Sequence, residues 1–353
     1  MASKERILIV DDSALFRTML QHVVRDLSEF EVVGTASNGL AALDKIEQMN
    51  PDVVTLDGEM PGLSGIEVLR ELKRRGCPSR VIMVSRFTAA GTQVTTDALL
   101  EGAFDFVLKP AGANAADNRL QLLEALQAPL QAVRQQLDFK PDTVQGLVPL
   151  AAGRILSATR LLVIGCSTGG PDALARLMPE LPAKLPFPML VVQHIPAGFT
   201  ATLAARLDEA CEYPVREAAD NELVQAGTAF VARGGRHLKL LPRAGDVMFQ
   251  LTEDPAESFC RPAVDYTLRS AVSVYGSGVT AVILAGMGSD GAAGCRLVRE
   301  SGGRVLVQHP DGCTVYGMPR AVKRAELADE EWRLDELAGR IQQLATAAKA
   351  VKR

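Results

Sequence analysis

The sequence contains no apolar run near the roughly 18 residues that a membrane-spanning helix needs. Its opening MASKERILIV lacks the long apolar stretch of a signal peptide, so the expected location is the cytoplasm. Positive charge is not in excess: 38 Lys and Arg against 42 Asp and Glu leave a formal net charge of −4, which argues against a nucleic-acid footprint. The one concentrated basic stretch, RELKRRG at 70–76, is short enough to be a solvated helix face. The six cysteines (Cys77, Cys166, Cys211, Cys260, Cys295 and Cys313) include no C-x-x-C pair and share no metal-ligand spacing with the four histidines. Reduced, mostly buried thiols are expected. No internal repeat or low-complexity tract interrupts the chain.

At 353 residues with 47% apolar and 23% charged side chains, the composition is that of a globular protein long enough for two cores. From 5 to 127, short β-branched runs (RILIV, EVVGTA, DVVTLD, RVIMVS, FDFVLK) alternate with stretches whose apolar residues recur every three or four positions. Repeated βα units imply a parallel sheet covered on both faces. The stretch LQLLEALQAPLQAVRQQL, from 120, looks like a closing helix, followed by an aperiodic linker. From 160 the alternation resumes with RLLVIG, PMLVVQH, TAFVA, TAVILAG and RVLVQH, while 228–252 looks like hairpins and the polar end after 320 has helical spacing.

In parallel sheets function collects at the carboxyl ends of the strands. In the first half those ends carry Asp11 and Asp12 after ILIV, Asp57 after VVTL, Ser85 after VIMV and Lys109 after FVL. Converging carboxylates repel one another unless a cation sits among them, and hard oxygen donors suit Mg²⁺. A nearby lysine and hydroxyl would stabilise an incoming phosphoryl group, which makes Asp57 a candidate phosphoacceptor.

In the second half GCSTG (165–169) has the G-x-S-x-G spacing of a nucleophile elbow, in which small neighbours let the strand turn sharply and expose Ser167. No GK[ST] follows for a phosphate loop, and G-x-G-x-x-G is not matched. A plain glycine-rich turn remains the alternative. A serine nucleophile needs a base and an orienting acid. His194 and His309 both end strand candidates and are both followed closely by proline, so the residues alone leave the base open between them. His237 has the position of a structural hairpin residue, and His22 lies in a helix of the first half. GMGSDGAAG, rich in close-approaching backbone, favours Asp290 over Asp311 as the acid.

Two resemblances extend this reading. DDSALFR, LDGEMPGLSG, MVS and LKP resemble the response-regulator receiver domain over nearly all of 5–127. The resemblance implies a flavodoxin-like (βα)5 fold in which Asp57 is phosphorylated. Asp11, Asp12 and Asp57 would hold Mg²⁺ with the Glu59 backbone carbonyl, Ser85 and Lys109 would contact the phosphoryl group, and Phe106 would be the aromatic switch. Gly58 and Arg86 depart from the residues more familiar beside that pocket. GCSTGGPDAL, QHIPAGFTATLAARL, RGGRHLKL, RPAVDYTLRS, AGMGSDGAAG and VYGMPRA closely match the catalytic domain of the chemotaxis protein-glutamate methylesterase family, CheB, over about 160–325. That resemblance implies a doubly wound parallel sheet with a β-hairpin insert and the triad Ser167, His194 and Asp290, with oxyanion-hole donors at the backbone N–H groups of Thr168 and Met287. Where the family often carries an acidic or amide residue, this chain has His309-Pro310.

The domains expected on this basis are a receiver at 1–127, a linker at 128–158 and a catalytic domain at 159–353. The implied activity is hydrolysis of glutamate γ-methyl esters, and deamidation of glutamines, on chemotaxis receptors. The histidine kinase CheA would be the phosphodonor, recruitment would be to receptor arrays at the inner face of the membrane, and ester hydrolysis would need no cofactor. The unphosphorylated receiver of the family covers the active-site face. The competing expectations are a phosphorylation-dependent binding module with a silent esterase, or the same chemistry in a non-flagellar array.

Overall fold

In the computed structural model, which describes residues 4–112, 114–138 and 156–351, the β-branched runs of the first half form five strands. These are β1 (Glu5–Val10), β2 (Phe30–Ala36), β3 (Val53–Asp57), β4 (Arg80–Ser85) and β5 (Asp105–Leu108). They pair in the order β2-β1-β3-β4-β5, all parallel. Every residue of β3 is buried, as expected of a central strand with helices on both faces. The helices between them start on side-chain caps: Ser13 accepts from the N–H of Phe16, Asn38 from Ala41 and Thr88 from Gly91, each satisfying a donor the helix itself leaves open. The closing helix, Ala115–Asp138, continues past the expected boundary at 127 because Leu130, Ala132 and Val133 on its second half are buried. Of the expected linker, 139–155 lies outside the described residues. The chain divides into two compact units, 1–139 and 140–353.

The second unit adds β6 (Leu161–Cys166), β7 (Met189–Gln193), β8 (Val215–Glu217), β9 (Ala229–Val231), β10 (His237–Arg243), β11 (Asp246–Thr252), β12 (Val279–Ile283), β13 (Arg304–Gln308) and β14 (Glu330–Trp332). Seven of them form a parallel sheet in the order β14-β13-β12-β6-β7-β9-β8. β6 is the fulcrum: the chain lays β7 on one side of it and later returns to lay β12 on the other. The crevice where strand order reverses is where ligands bind in open α/β sheets.

Only part of the stretch expected to form hairpins does so. β10 and β11 form an antiparallel pair closed by Ala244 and Gly245, both at positive φ, the geometry of a tight hairpin turn. β9 instead joins the main sheet between β7 and β8. Ala229, Phe230 and Val231 are all fully buried, which is the burial of a strand covered on both faces. Within the region expected to be helical after 320, Glu330–Trp332 forms the edge strand β14, paired with β13 from Leu306 to Gln308.

Candidate active site

β6 ends at Cys166, and Ser167 is the first residue beyond it. The turn that follows fits small residues only. Gly169 has φ of +79°, and a Cβ there would lie 2.3 Å from the Thr314 Cβ. A Cβ on Gly286, across the crevice, would lie 2.9 Å from that of Ser167. The serine backbone is fixed from three sides. Its N–H donates to the Ala285 carbonyl at 2.9 Å, and its carbonyl accepts from Gly170 N–H at 2.7 Å and from Gln193 Nε2 at 3.0 Å.

Cys166 and Gln193 are register partners on β6 and β7, so Ser167 and His194 leave the sheet side by side, about 4.8 Å apart at the backbone as neighbouring strands are. Gln193 ties the two loops together, because the same Nε2 also donates to the His194 carbonyl at 3.0 Å. Asp290 arrives from the other flank, after β12, and its Oδ2 lies 2.7 Å from His194 Nε2. The ring nitrogen left for a proton from Ser167 is therefore Nδ1. Among the described residues no hydrogen bond joins the Ser167 hydroxyl to the ring, and such contacts often tighten only when substrate is bound.

Asp290 is buried but well served. Oδ2 also accepts from Val264 N–H at 2.6 Å, and Oδ1 accepts from Asp265 and Gly291 N–H, both at 2.9 Å. Two of these donors open the helix Val264–Tyr275, whose N-terminal end favours negative charge. Burial opposes ionisation here, yet His194 and the backbone donors hold the carboxyl below the usual Asp value. For His194 burial again disfavours the charged form, but Asp290 and then Cys260 outweigh it and push the imidazole up to about 9. Asp265, beside Asp290, is pushed up to about 6 by burial and by its neighbour's charge, while its Oδ1 accepts from Gly294 N–H at 2.6 Å.

Strand order separates the two candidate histidines. His194 follows β7, adjacent to β6, whereas His309 follows β13, with β12 between it and β6. His309 Nδ1 accepts from the N–H of Asp311, and Asp311 pairs with Arg333 at 2.7 Å. His237 is fully buried, stacked on Tyr266 at 4.2 Å between ring centroids, with Nε2 3.0 Å from the Pro255 carbonyl. Thr168 follows the serine, and Met287 lies in the loop after β12. Gln193, Cys260 and Asp265 contribute to the site without having stood out in the sequence. Gln193 had a signal in the repeated VQH at the ends of β7 and β13, where Gln308 plays the matching part by accepting from Ala285 N–H at 2.8 Å.

In the first unit Asp11, Asp12 and Asp57 place carboxylate oxygens within 4.8 Å of one another. Lys109 Nζ bridges the two buried acids, 2.6 Å from Asp11 Oδ2 and 2.7 Å from Asp57 Oδ2. Asp57 Oδ1 accepts from Glu59 N–H at 3.2 Å, and Asp11 Oδ1 accepts from Ser13 N–H at 2.8 Å. Burial, reinforced by the charge of Asp11, raises Asp57 above the ordinary Asp value despite Lys109. Ser85, at the end of β4, donates to the Gly91 carbonyl at 3.2 Å, and Phe106 is half-buried on β5.

An acid pocket on one parallel sheet, followed by a serine flanked by a histidine–aspartate pair on another, is the layout of a response regulator with an enzyme as its effector. Comparison with known proteins agrees with that class. The response regulator receiver domain family matches residues 7–121, and the CheB methylesterase family matches residues 162–341. A Thermotoga maritima protein named protein-glutamate methylesterase/protein-glutamine glutaminase is 41% identical over 92% of this chain and 94% of its own length. A Nocardioides protein of the same name is 42% identical over 94% of this chain and 93% of its own. The solved catalytic domain of the Thermotoga maritima CheB methylesterase is similar in structure, with a TM-score of 0.52 and 41% identity over 53% of this chain and all of that one. The chain belongs to the CheB methylesterase family, with a receiver domain preceding the methylesterase domain.

Proposed function

We propose that the chain hydrolyses glutamyl γ-methyl esters, and deamidates glutamines, on methyl-accepting chemotaxis receptors, with Ser167, His194 and Asp290 as the triad. The observation that carries this is the His194–Asp290 pair emerging one strand from Ser167. The Ser167 oxygen attacks the ester carbonyl while its proton moves to His194 Nδ1. Asp290 keeps the ring in the tautomer that leaves Nδ1 free and stabilises the imidazolium that forms. The N–H groups of Thr168 and Met287 are the proposed donors to the oxyanion, a kind of contact whose removal costs on the order of 10²–10³ in rate. The carbon–methoxy bond breaks as His194 returns its proton, methanol leaves, and water then cleaves the acyl-enzyme to give a carboxylate and a free serine. Glutamine follows the same path with ammonia leaving.

Asp57 is the proposed phosphoacceptor, with a histidine kinase of the CheA type as donor. Asp11, Asp12 and Asp57 with the Glu59 carbonyl form a set of hard oxygen donors suited to Mg²⁺. The close approach of the three carboxylates, with Lys109 the cation bridging two of them, fits a site built around positive charge. Mg²⁺ would neutralise the charge that develops on the transferring phosphoryl group. Lys109 and Ser85 then hold the phosphoryl oxygens, and Phe106 transmits the change. No described helix is long and apolar enough to cross a membrane, and the enzyme is proposed to work in the cytoplasm at receptor arrays, with a receiver that extends through the helix ending at Asp138 and a catalytic domain from 159.

Methanol release from methylated receptor membranes, with and without a small phosphodonor, tests this reading. The wild type is expected to release methanol faster with the donor, and Ser167→Ala to lose on the order of 10⁶ in turnover. Release by Ser167→Ala within tenfold of wild type would remove the serine from the mechanism.

A further inference from the structure

Residues 257–260 form a closed two-residue turn: Glu257 N–H donates to the Cys260 carbonyl at 3.1 Å and Cys260 N–H returns the bond at 2.8 Å. Ser258 and Phe259 occupy its tip at φ of +51° and +61°. Both positions favour glycine, asparagine or aspartate, and a bulky aromatic in the left-handed region is a genuine outlier. The hairpin β10–β11 makes the same kind of turn with Ala244 and Gly245, residues far better suited to it. Phe259 gains nothing from packing in return, since at 105% relative exposure its ring is the most exposed large apolar side chain among the described residues.

The turn is nevertheless held firmly. Arg269 pairs with Glu257, Arg261 Nη1 donates to the carbonyls of Glu253 and Asp254 at 3.0 and 3.1 Å, and Gly235 N–H donates to the Arg261 carbonyl at 2.9 Å. The same segment runs into the proposed triad: Val264 N–H donates to Asp290 Oδ2 at 2.6 Å, and a Cβ on Gly235, which is bonded to Arg261, would lie 3.3 Å from that of Ala197 in the loop after His194. A strained, unpacked aromatic is thus fixed on a segment tied both to Asp290 and to the loop after His194. Strain of this kind persists where surrounding structure over-determines it, and it clusters at ligand clamps. With the backbone already held, docking the ring orders only its two side-chain torsions, at low entropic cost.

We propose that Phe259 is a specificity-determining residue of the esterase: it docks against an apolar side chain of the protein substrate beside the γ-methyl ester, and so favours protein-borne esters over small ones. This rests on the methylesterase reading above. It commits to the substrate protein as the occupant, because the segment that presents Phe259 continues to Val264, whose N–H holds the Asp290 that pairs with His194.

The test compares full-length wild type with Phe259→Gly and Phe259→Tyr on two substrates, methylated receptor membranes and a small N-acylated glutamate γ-methyl ester amide. The readout is the ratio of kcat/KM on receptor to kcat/KM on the small ester, which cancels general damage to the active site. Phe259→Gly removes the ring and also suits the positive φ, so the turn survives the change. Its ratio is expected to fall roughly tenfold, the low end for losing a buried Phe side chain, chiefly through KM on receptor. Phe259→Tyr, which keeps the ring, is expected to hold the wild-type ratio. An unchanged ratio in Phe259→Gly, or an equal fall in Phe259→Tyr, would overturn the proposal while leaving the methylesterase reading intact. Failure of the wild type to release methanol from receptor would overturn both.

Discussion

The two units set their chemistry in the same place, just past the carboxyl ends of parallel strands, and treat their buried aspartates in opposite ways. Asp57 shares its pocket with Asp11, and burial together with that like charge raises it above the ordinary value. Asp290 stands beside a histidine and accepts from three backbone N–H groups, so it is lowered although it too is buried. A carboxylate held where charge is crowded gains from a cation, or from losing charge by modification. One surrounded by donors is fixed in its ionised form and serves to orient another group. Location in the fold is common to both; the neighbours set them apart, Asp57 for the proposed phosphorylation and Asp290 for orienting the proposed base.

The sharpest way to break this contrast lies within the second unit, because His194 and His309 occupy equivalent strand ends. His194→Ala is expected to cost nearly as much as losing the nucleophile, on the order of 10⁶ in turnover, while His309→Ala stays close to wild type. Methanol release by the two purified variants checks this. The reverse order would mean that the pair with Asp290 is structural and that the base comes from β13.

A smaller effect tests the first unit. Asp57→Asn replaces the shared carboxylate by a neutral amide and leaves every residue of the proposed triad in place. Stimulation of methanol release by a phosphodonor is expected to disappear, unstimulated turnover to persist, and Mg²⁺ binding, followed by calorimetry, to weaken. Full stimulation in Asp57→Asn would show that another acid accepts the phosphoryl group or that the pocket does not control the esterase.

Much of this contrast was legible in the sequence, because strand ends are marked by β-branched runs that stop at an acid, a hydroxyl or a glycine. Asp11, Asp57, Ser85 and Ser167 each sit at such a stop, Lys109 directly follows β5, and Asp290 lies in the glycine-rich loop beyond β12. The choice of base was not legible from the residues, since VVQH and LVQH differ by nothing that chemistry can use; only the strand order, with β7 beside β6 and β13 beyond β12, separates them. β8 (VRE) and β14 (EEW) carry no strand signal because they are short and mostly charged, whereas the equally short β9 (AFV) is apolar. Glu330 in β14 is a polar residue kept there by Arg304 and Arg340, each 2.6 Å away. Cys260 carries no signal either, being a lone thiol far along the chain whose influence on His194 depends on tertiary structure.

The smallest expected effect concerns that thiol and the pH at which the base works. A general base acts in its neutral form, so if His194 is the base as proposed, its value of about 9 leaves a small neutral fraction at pH 7 that grows about tenfold with each unit of rising pH up to the inflection. Plotted against pH, kcat/KM for a small ester is therefore expected to rise from pH 6, inflect near 9 and level off above it. Asp290 and Cys260 are the groups that hold the ring up against burial, so removing either one lets burial pull it down. Cys260→Ala keeps both backbone hydrogen bonds of the 257–260 turn and leaves the proposed triad untouched. Its inflection is expected to move to lower pH, so that the variant loses less activity than wild type on going from pH 9 to pH 7. Asp57→Asn, whose change lies in the other unit's pocket, is expected to keep the wild-type inflection. An inflection in Cys260→Ala that stays put or moves upward would show that Asp290 alone sets the base, and a shift in Asp57→Asn would show that the two carboxylate environments are not electrostatically independent.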